Sequence, residues 1–183
     1  MAVEVAQGLR APVDVFLVRK LAVPNQPDVA MGAIASGGIQ VISDDVVREQ
    51  RVSAAMIETV LEHERGELRR RERMYRGLRP MPGVTGNTVI LIDDGLTTGN
   101  TMRTAIMALR QARPERIVVA TPVGSQKTCE LLNREADEVV CAHVPEPLYS
   151  VDRWYRDYSP IMDRDIRELL EQVEARSLAS LVH

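Results

Sequence analysis

Several kinds of residue are scarce in this chain of 183 residues, and each scarcity excludes something. There are two cysteines, Cys129 and Cys141, without metal-ligand spacing and too few for a disulfide framework. Aromatic residues make up 3%, so the core is built from Val, Ile, Leu, Ala and Met. The same shortage argues against the stacking platforms that hold single-stranded nucleic acid. No apolar run approaches the length of a membrane span, and the N-terminus has no signal-peptide pattern. A formal net charge of −3 offers no general attraction to nucleic acid or to an anionic membrane. These absences lead to the expectation of a cytoplasmic protein without nucleic-acid or membrane partners. Lysine is also scarce, with only Lys20 and Lys127; the other basic residues are arginines.

What is present is an ordinary globular mixture, 45% hydrophobic and 27% charged. The length suits one domain over residues 1–183 with a sizeable core. Residues 2–10 read as the end of an amphipathic helix and 13–18 as a strand with Arg19 and Lys20 at its tip. Pro24 and Pro27 then suggest a loop. Residues 31–35 and 39–42 flank Ser36-Gly37-Gly38, which is a hairpin signal. From Asp44 to about Arg79 the pattern is helical, with Ser53 as an N-cap and Met56, Ile57, Val60, Leu61, Leu68 and Tyr75 as a sparse apolar stripe. Its arginines alternate with Glu62, Glu64, Glu67 and Glu72, which predicts i,i+4 pairs such as Glu67–Arg71 and Glu72–Arg76 on a solvated face.

Strands at 89–92, 117–120 and 139–142 alternate with helices at 101–112 and 127–136, and a closing helix runs from Asp163 to about Ala175. The tail to His183 should be loosely held. Such alternation predicts an α/β fold with an open, largely parallel sheet, in which ligands bind at the carboxyl ends of the strands. Residues 25–79 form a long excursion between sheet strands and are expected to act as a flap or hood.

The chemistry concentrates in residues 89–101, VILIDDGLTTGNT. A buried apolar strand ends in Asp93 and Asp94; Gly95, Leu96, Thr97, Thr98, Gly99 and Asn100 follow, and Thr101 opens a helix. Two carboxylates at a strand tip can accept from vicinal hydroxyls, while loop N–H groups, Thr hydroxyls and a helix N-terminus can hold a phosphate dianion beside them. A phosphorylated sugar fits that pair of functions. No Lys follows the second Gly, so this is not a Walker A loop, and it is not the dinucleotide G-x-G-x-x-G. An ordinary strand–turn–helix with Thr101 as N-cap, a metal site and a solvated turn are the blander readings.

Two further groups could carry chemistry. Arg19 and Lys20 are either a solvated strand tip or a cationic clamp, Arg bidentate and Lys a point charge. Residues 151–158, VDRWYRDY, hold the only Trp and either pack the last loop on the sheet or offer a stacking surface beside a carboxylate. His63, His143 and His183 lack metal spacing or triad partners, and Cys129 and Cys141 read as core or near-surface thiols.

Residues 89–101 resemble the phosphoribosyl pyrophosphate (PRPP) loop of the type I phosphoribosyltransferases. FLVRK at 16–20 resembles the strand before the flexible loop in adenine-type members, and residues 151–158 resemble the aromatic-and-Asp stretch of purine-type members, although Asp152 stands where those have Gly. Over nearly the whole chain, including 14–47, RERMYR at 71–76 and ADEVVC at 136–141, the sequence is similar to a bacterial group of phosphoribosyltransferases with unassigned substrate.

The resemblance implies transfer of ribose 5-phosphate from PRPP to a nitrogenous acceptor with Mg²⁺ as cofactor. Asp93 and Asp94 would be catalytic and bind the ribose hydroxyls, residues 95–101 would hold the 5′-phosphate, and Arg19 and Lys20 the diphosphate. Trp154 would lie by the acceptor and Asp157 by the metal. Hypoxanthine–guanine enzymes carry an acid three residues after the second Asp; Thr97 stands there instead. The group also has an N-terminal strand and a Pro-Arg-Gly-Gly-type pyrophosphate loop before the point where Met1 falls, so this chain is expected to lack them and to leave a strand edge unpaired. A PRPP- or nucleotide-binding regulator without catalysis is the alternative, and a homodimer is possible.

Overall fold

The computed structural model describes residues 1–180, with side-chain surroundings through residue 173; the end of the tail expected to be loosely held, 181–183 with His183, lies outside the described residues. Two three-stranded sheets organise the described residues. The first is parallel, in the order β4 (Thr88–Ile92), β5 (Arg116–Val123), β6 (Glu138–His143). Parallel neighbours need crossovers, and α4 (Asn100–Gln111) and α5 (Gln126–Leu132) supply them. β5 is central: Ile117, Val118 and Val119 are all buried, as a strand covered on both faces requires. On α4, Met102, Ala105, Ile106 and Leu109 fall at helical spacing and pack with Leu91, Ile117, Val119 and Leu132.

The second sheet is antiparallel, β1 (Val18–Val23), β2 (Gln26–Ala35) and β3 (Ile39–Ile42). The expected hairpin is present, with Ala35 opposite Ile39 and Gly37 and Gly38 at positive φ in the turn. Behind this sheet lie α2 (Asp44–Glu49) and α3 (Ala54–Arg76), whose Leu61 and Leu68 pack with Leu21, Met31 and Ile34. Ser53 caps α3 through its side chain, as expected. The stripe is narrower than the sequence suggested, because Met56 is exposed. Glu72 pairs with Arg76 at 3.2 Å, but Glu67 pairs with Arg70 one position earlier than predicted. Helices α1 (Ala2–Leu9) and α6 (Asp163–Ser180) complete the described chain.

Two local expectations need correction. The first strand starts at Val18, where the predicted one was to end, so Arg19 and Lys20 lie inside β1, opposite Ile34 and Ala33. Residues 13–17 are apolar enough for a strand but find no ladder partner; Leu17 N–H donates instead to the Ser36 hydroxyl at 3.1 Å. Likewise, the region of Pro24 and Pro27 is a tight turn at Asn25 (φ 64°) leading straight into β2. Pro27 is tolerated there because the β1–β2 register shifts between Ala22 and Val23, which frees it from the ladder.

Among the described residues β4 pairs only with β5. Its other edge faces an apolar groove of about 540 Å³ between α1 and α4, which reaches Asp93 and Thr101 at one end.

Candidate functional site

The parallel sheet itself shapes the loop after β4. Asp93 still donates its N–H to Ala120 O at 3.3 Å, the last rung of the ladder. The chain leaves the sheet at Asp94 and returns at Leu96, whose N–H donates to Val123 O and whose carbonyl accepts from Ser125, both at 2.9 Å. Leu96 is buried and forms a parallel bridge with Gly124. Residues 93–95 are therefore a short excursion pinned at both ends, at the carboxyl edge of the strands where open α/β sheets bind ligands.

Gly95 permits the excursion to be covered. A Cβ at Gly95 would stand 2.4 Å from a Val151 methyl, so Val151 occupies the space a side chain would need. Gly99 serves at the other end of the loop: its φ of 71° is left-handed, and a Cβ there would meet the Thr128 methyl at 2.7 Å. Below the loop, the Thr97 carbonyl accepts from the hydroxyls of Ser125, at 3.3 Å, and Thr128. The carbonyl side is thus anchored. Among the described residues, none accepts from the backbone N–H groups of Thr98, Gly99, Asn100 or Thr101. Thr101 does not cap α4; Gly99 stands at the N-cap without a side-chain bond. Four N–H groups at the start of a three-turn helix, flanked by exposed Thr97, Thr98 and Thr101, are donors that an anion could satisfy.

The two carboxylates differ. Asp93 accepts from Asp94 N–H at 3.0 Å, and burial, with the neighbouring Asp94 charge adding to it, holds its acidity weaker than an ordinary carboxyl. Asp94 is gripped by two tyrosines. Tyr155 Oη donates to the Asp94 carbonyl at 2.6 Å, and Tyr158 Oη donates to Asp94 Oδ2 at 2.5 Å. That bond pushes the Tyr158 phenol up to about 12, and burial together with the Asp94 charge raises Tyr155. The two rings lie 5.3 Å apart.

The structure therefore brings Asp93, Asp94 and residues 95–101 together with the aromatic loop. Sequence reading took Trp154 and Asp157 from that loop; Tyr155 and Tyr158, the residues that touch the acid, were missed. The signal available was two phenols three apart in the same segment as the Trp. Trp154 is half exposed and stacks on His143 at 5.6 Å, which gives that histidine a packing role. Asp157 accepts from Ser159 N–H at 2.9 Å and from its hydroxyl at 2.5 Å, and these bonds lower its pKa. Arg19 and Lys20 bond away from the loop, Arg19 with Glu64 at 2.5 Å and Lys20 with the Pro27 carbonyl at 2.5 Å. Cys129 is buried and Cys141 half-buried, both free thiols.

No three His, Cys, Asp or Glu side chains gather as a metal cage among the described residues. Among the same residues, no helix is long and apolar enough to cross a membrane.

Comparison with known proteins shows the family and the fold. The family model described as "Phosphoribosyl transferase domain" matches residues 1–158. Two Mycobacterium tuberculosis proteins, "Putative phosphoribosyl transferase MT0597" of strain CDC 1551 / Oshkosh and "Putative phosphoribosyl transferase Rv0571c" of strain H37Rv, are each 37% identical over 172 residues. That stretch is 94% of this chain but 39% of each relative, so the chain spans about two-fifths of their length. The crystal structure of TT1426 from Thermus thermophilus superposes with a TM-score of 0.83 at 36% identity, over 93% of this chain and 80% of that one.

Proposed function

Since the chain belongs to the phosphoribosyl transferase domain family, we propose that it binds PRPP through the loop after β4. It would transfer the ribose 5-phosphate to a nitrogenous small-molecule acceptor. The observation that carries this reading is the pairing of Asp93 and Asp94 with four backbone N–H groups that lack a protein acceptor among the described residues, at Thr98, Gly99, Asn100 and Thr101. Carboxylates accept from the ribose hydroxyls and the N–H groups take the 5′-phosphate, so the sugar is held at both ends. In the reaction the C1–O bond to diphosphate breaks, the acceptor nitrogen bonds to C1, and the acceptor's proton passes to solvent. Positive charge grows on the ribose as that bond stretches, and the Asp93 and Asp94 carboxylates stabilise it.

Magnesium suits this donor set as a substrate-borne ion. Mg²⁺ keeps several waters and takes one or two carboxylates plus phosphate oxygens, so it does not need a protein cage. Asp157 would hold it, being exposed and kept ionised by Ser159. When bound, Mg²⁺ neutralises the charge that gathers on the departing diphosphate. Trp154, half exposed, is the surface on which a flat acceptor would stack.

The diphosphate side favours keeping the second reading, a PRPP- or nucleotide-binding regulator without catalysis. Arg19 and Lys20, the residues assigned to the clamp, are bonded to Glu64 and Pro27. Incubation of the chain with Mg-PRPP and a panel of nitrogenous bases separates the readings. Pyrophosphate release supports transfer, saturable PRPP binding without release supports the regulator, and no binding rejects both.

A further inference from the structure

The Tyr158 hydroxyl and a sugar hydroxyl are chemically alike toward a carboxylate: each donates one hydrogen bond and each can be replaced by the other. In this structure the phenol holds Asp94 Oδ2 at 2.5 Å. Tyr158 makes that bond from an exposed position, 46% accessible, with the tilted Tyr155 ring as its ring contact. Tyr155 is better placed to stay, since it is half-buried and bonded to the Asp94 main chain. One tyrosine therefore fixes the backbone of the acid, and the other occupies Oδ2, one of its two acceptor oxygens.

We propose that Tyr158 is a specificity-determining residue of the sugar end. Its hydroxyl keeps the place of a ligand hydroxyl on Asp94, so that a phosphorylated sugar displaces it and a bare phosphate does not. This rests on the reading of Asp94 as a sugar-hydroxyl acceptor. Exchange of one donor for another keeps the carboxylate satisfied throughout, which removes the cost of an unpaired half-buried charge in the empty site. It also sets a threshold. A ligand that brings phosphate without hydroxyls gains the N–H donors but cannot expel the phenol. Because Trp154 precedes Tyr155 directly and stacks on His143, departure of Tyr158 pulls on the same loop that would receive the acceptor.

The test is calorimetric titration of ribose 5-phosphate and of inorganic phosphate into the full chain and into the variants Tyr158→Phe and Asp94→Asn. Removing the competing hydroxyl should tighten ribose 5-phosphate binding by roughly tenfold, as expected for one hydrogen bond to a charged group, and leave inorganic phosphate unchanged. The wild-type protein gives a readout that needs no variant: a near-ultraviolet tyrosine difference spectrum on adding ribose 5-phosphate, absent with inorganic phosphate and absent in Tyr158→Phe. Equal or weaker ribose 5-phosphate binding by Tyr158→Phe, while Asp94→Asn weakens it, overturns the role of Tyr158 alone. If Asp94→Asn binds ribose 5-phosphate as well as wild type does, the sugar-acceptor reading fails and the proposal fails with it.

Discussion

The Arg76 guanidinium lies buried against the Asp14 carboxylate, 2.5 Å away and 62 residues apart in sequence. Arg76 also donates to the Val15 carbonyl, to the Ser36 hydroxyl at 3.4 Å and to Glu72 at 3.2 Å. One side chain thereby joins the end of α3 to the extended segment before β1 and to the β2–β3 turn. Arginine suits this because its planar fork serves several acceptors at once.

Replacing Arg76 with Met should therefore destabilise the fold by about 3–5 kcal/mol, since it leaves Asp14 and Glu72 without their cation. Urea denaturation measures it. Asp14→Asn together with Arg76→Met should cost less than the two single changes added together, because the buried charge is then removed with its partner.

A second prediction concerns the contact between Gly95 and Val151. An alanine at position 95 would place its methyl 2.4 Å from a Val151 methyl. Gly95→Ala should lower stability by ~1–3 kcal/mol, the usual range for overpacking, and weaken ribose 5-phosphate binding as the aromatic loop lifts from Asp94. Adding Val151→Ala removes the two closest methyls and leaves only the Val151 Cβ at 3.0 Å, so the double variant should recover part of both losses in thermal melts and titrations. Failure of that rescue would mean the backbone at Gly95, and not the Val151 contact, sets the loop.

How far the sequence foretold this depends on the range of the interactions involved. The loop at 93–101 was legible because its determinants are local: an apolar strand, two acids, glycines and a helix start are all read within thirteen residues. Helix α4 was placed to within one residue for the same reason, with its stripe at 102, 105, 106 and 109 and Pro114 beyond. Position along β1 was not legible, because residues 13–17 and 18–23 are similarly apolar and only pairing with β2 decides which forms the ladder. The pairing of β1 with β2 was hidden for that reason too, whereas the β2–β3 hairpin was marked by its local turn glycines. Tyr155 and Tyr158 were missed because their partner, Asp94, lies 61 and 64 residues away. Nothing local marks a phenol as the one that meets an acid.

Asp93 should make stability depend on pH in a definite direction. Burial raises its pKa in the folded protein above that of the unfolded chain, so the folded state keeps the proton over a range in which the unfolded state has lost it. Its contribution to stability is therefore full below the ordinary carboxylate pKa and is lost as pH rises through the raised folded value. Asp93→Asn, which is neutral at every pH, should abolish that decline. Denaturant midpoints measured from about pH 4 to 7 for both proteins check it: the difference between variant and wild type should grow with pH. A constant difference would mean that the carboxyl titrates alike in both states.

A diphosphate clamp built on Arg19 would have to break the ion pair that Arg19 makes with Glu64. Arg19 Nε is tied to Glu64 Oε2 at 2.5 Å, a partly buried pair with Glu64 the more covered of the two. A clamp built on Arg19 must trade that carboxylate for diphosphate oxygens, so Glu64 competes with the ligand. Neutralising it with Glu64→Gln should strengthen Mg-pyrophosphate binding by up to about fivefold at low salt, the scale of a partly exposed ion pair, and less at high salt. Arg19→Ala should weaken binding in both backgrounds. If pyrophosphate affinity is the same in wild type, Glu64→Gln and Arg19→Ala, the pair is a strut between β1 and α3. The clamp reading of Arg19 then fails.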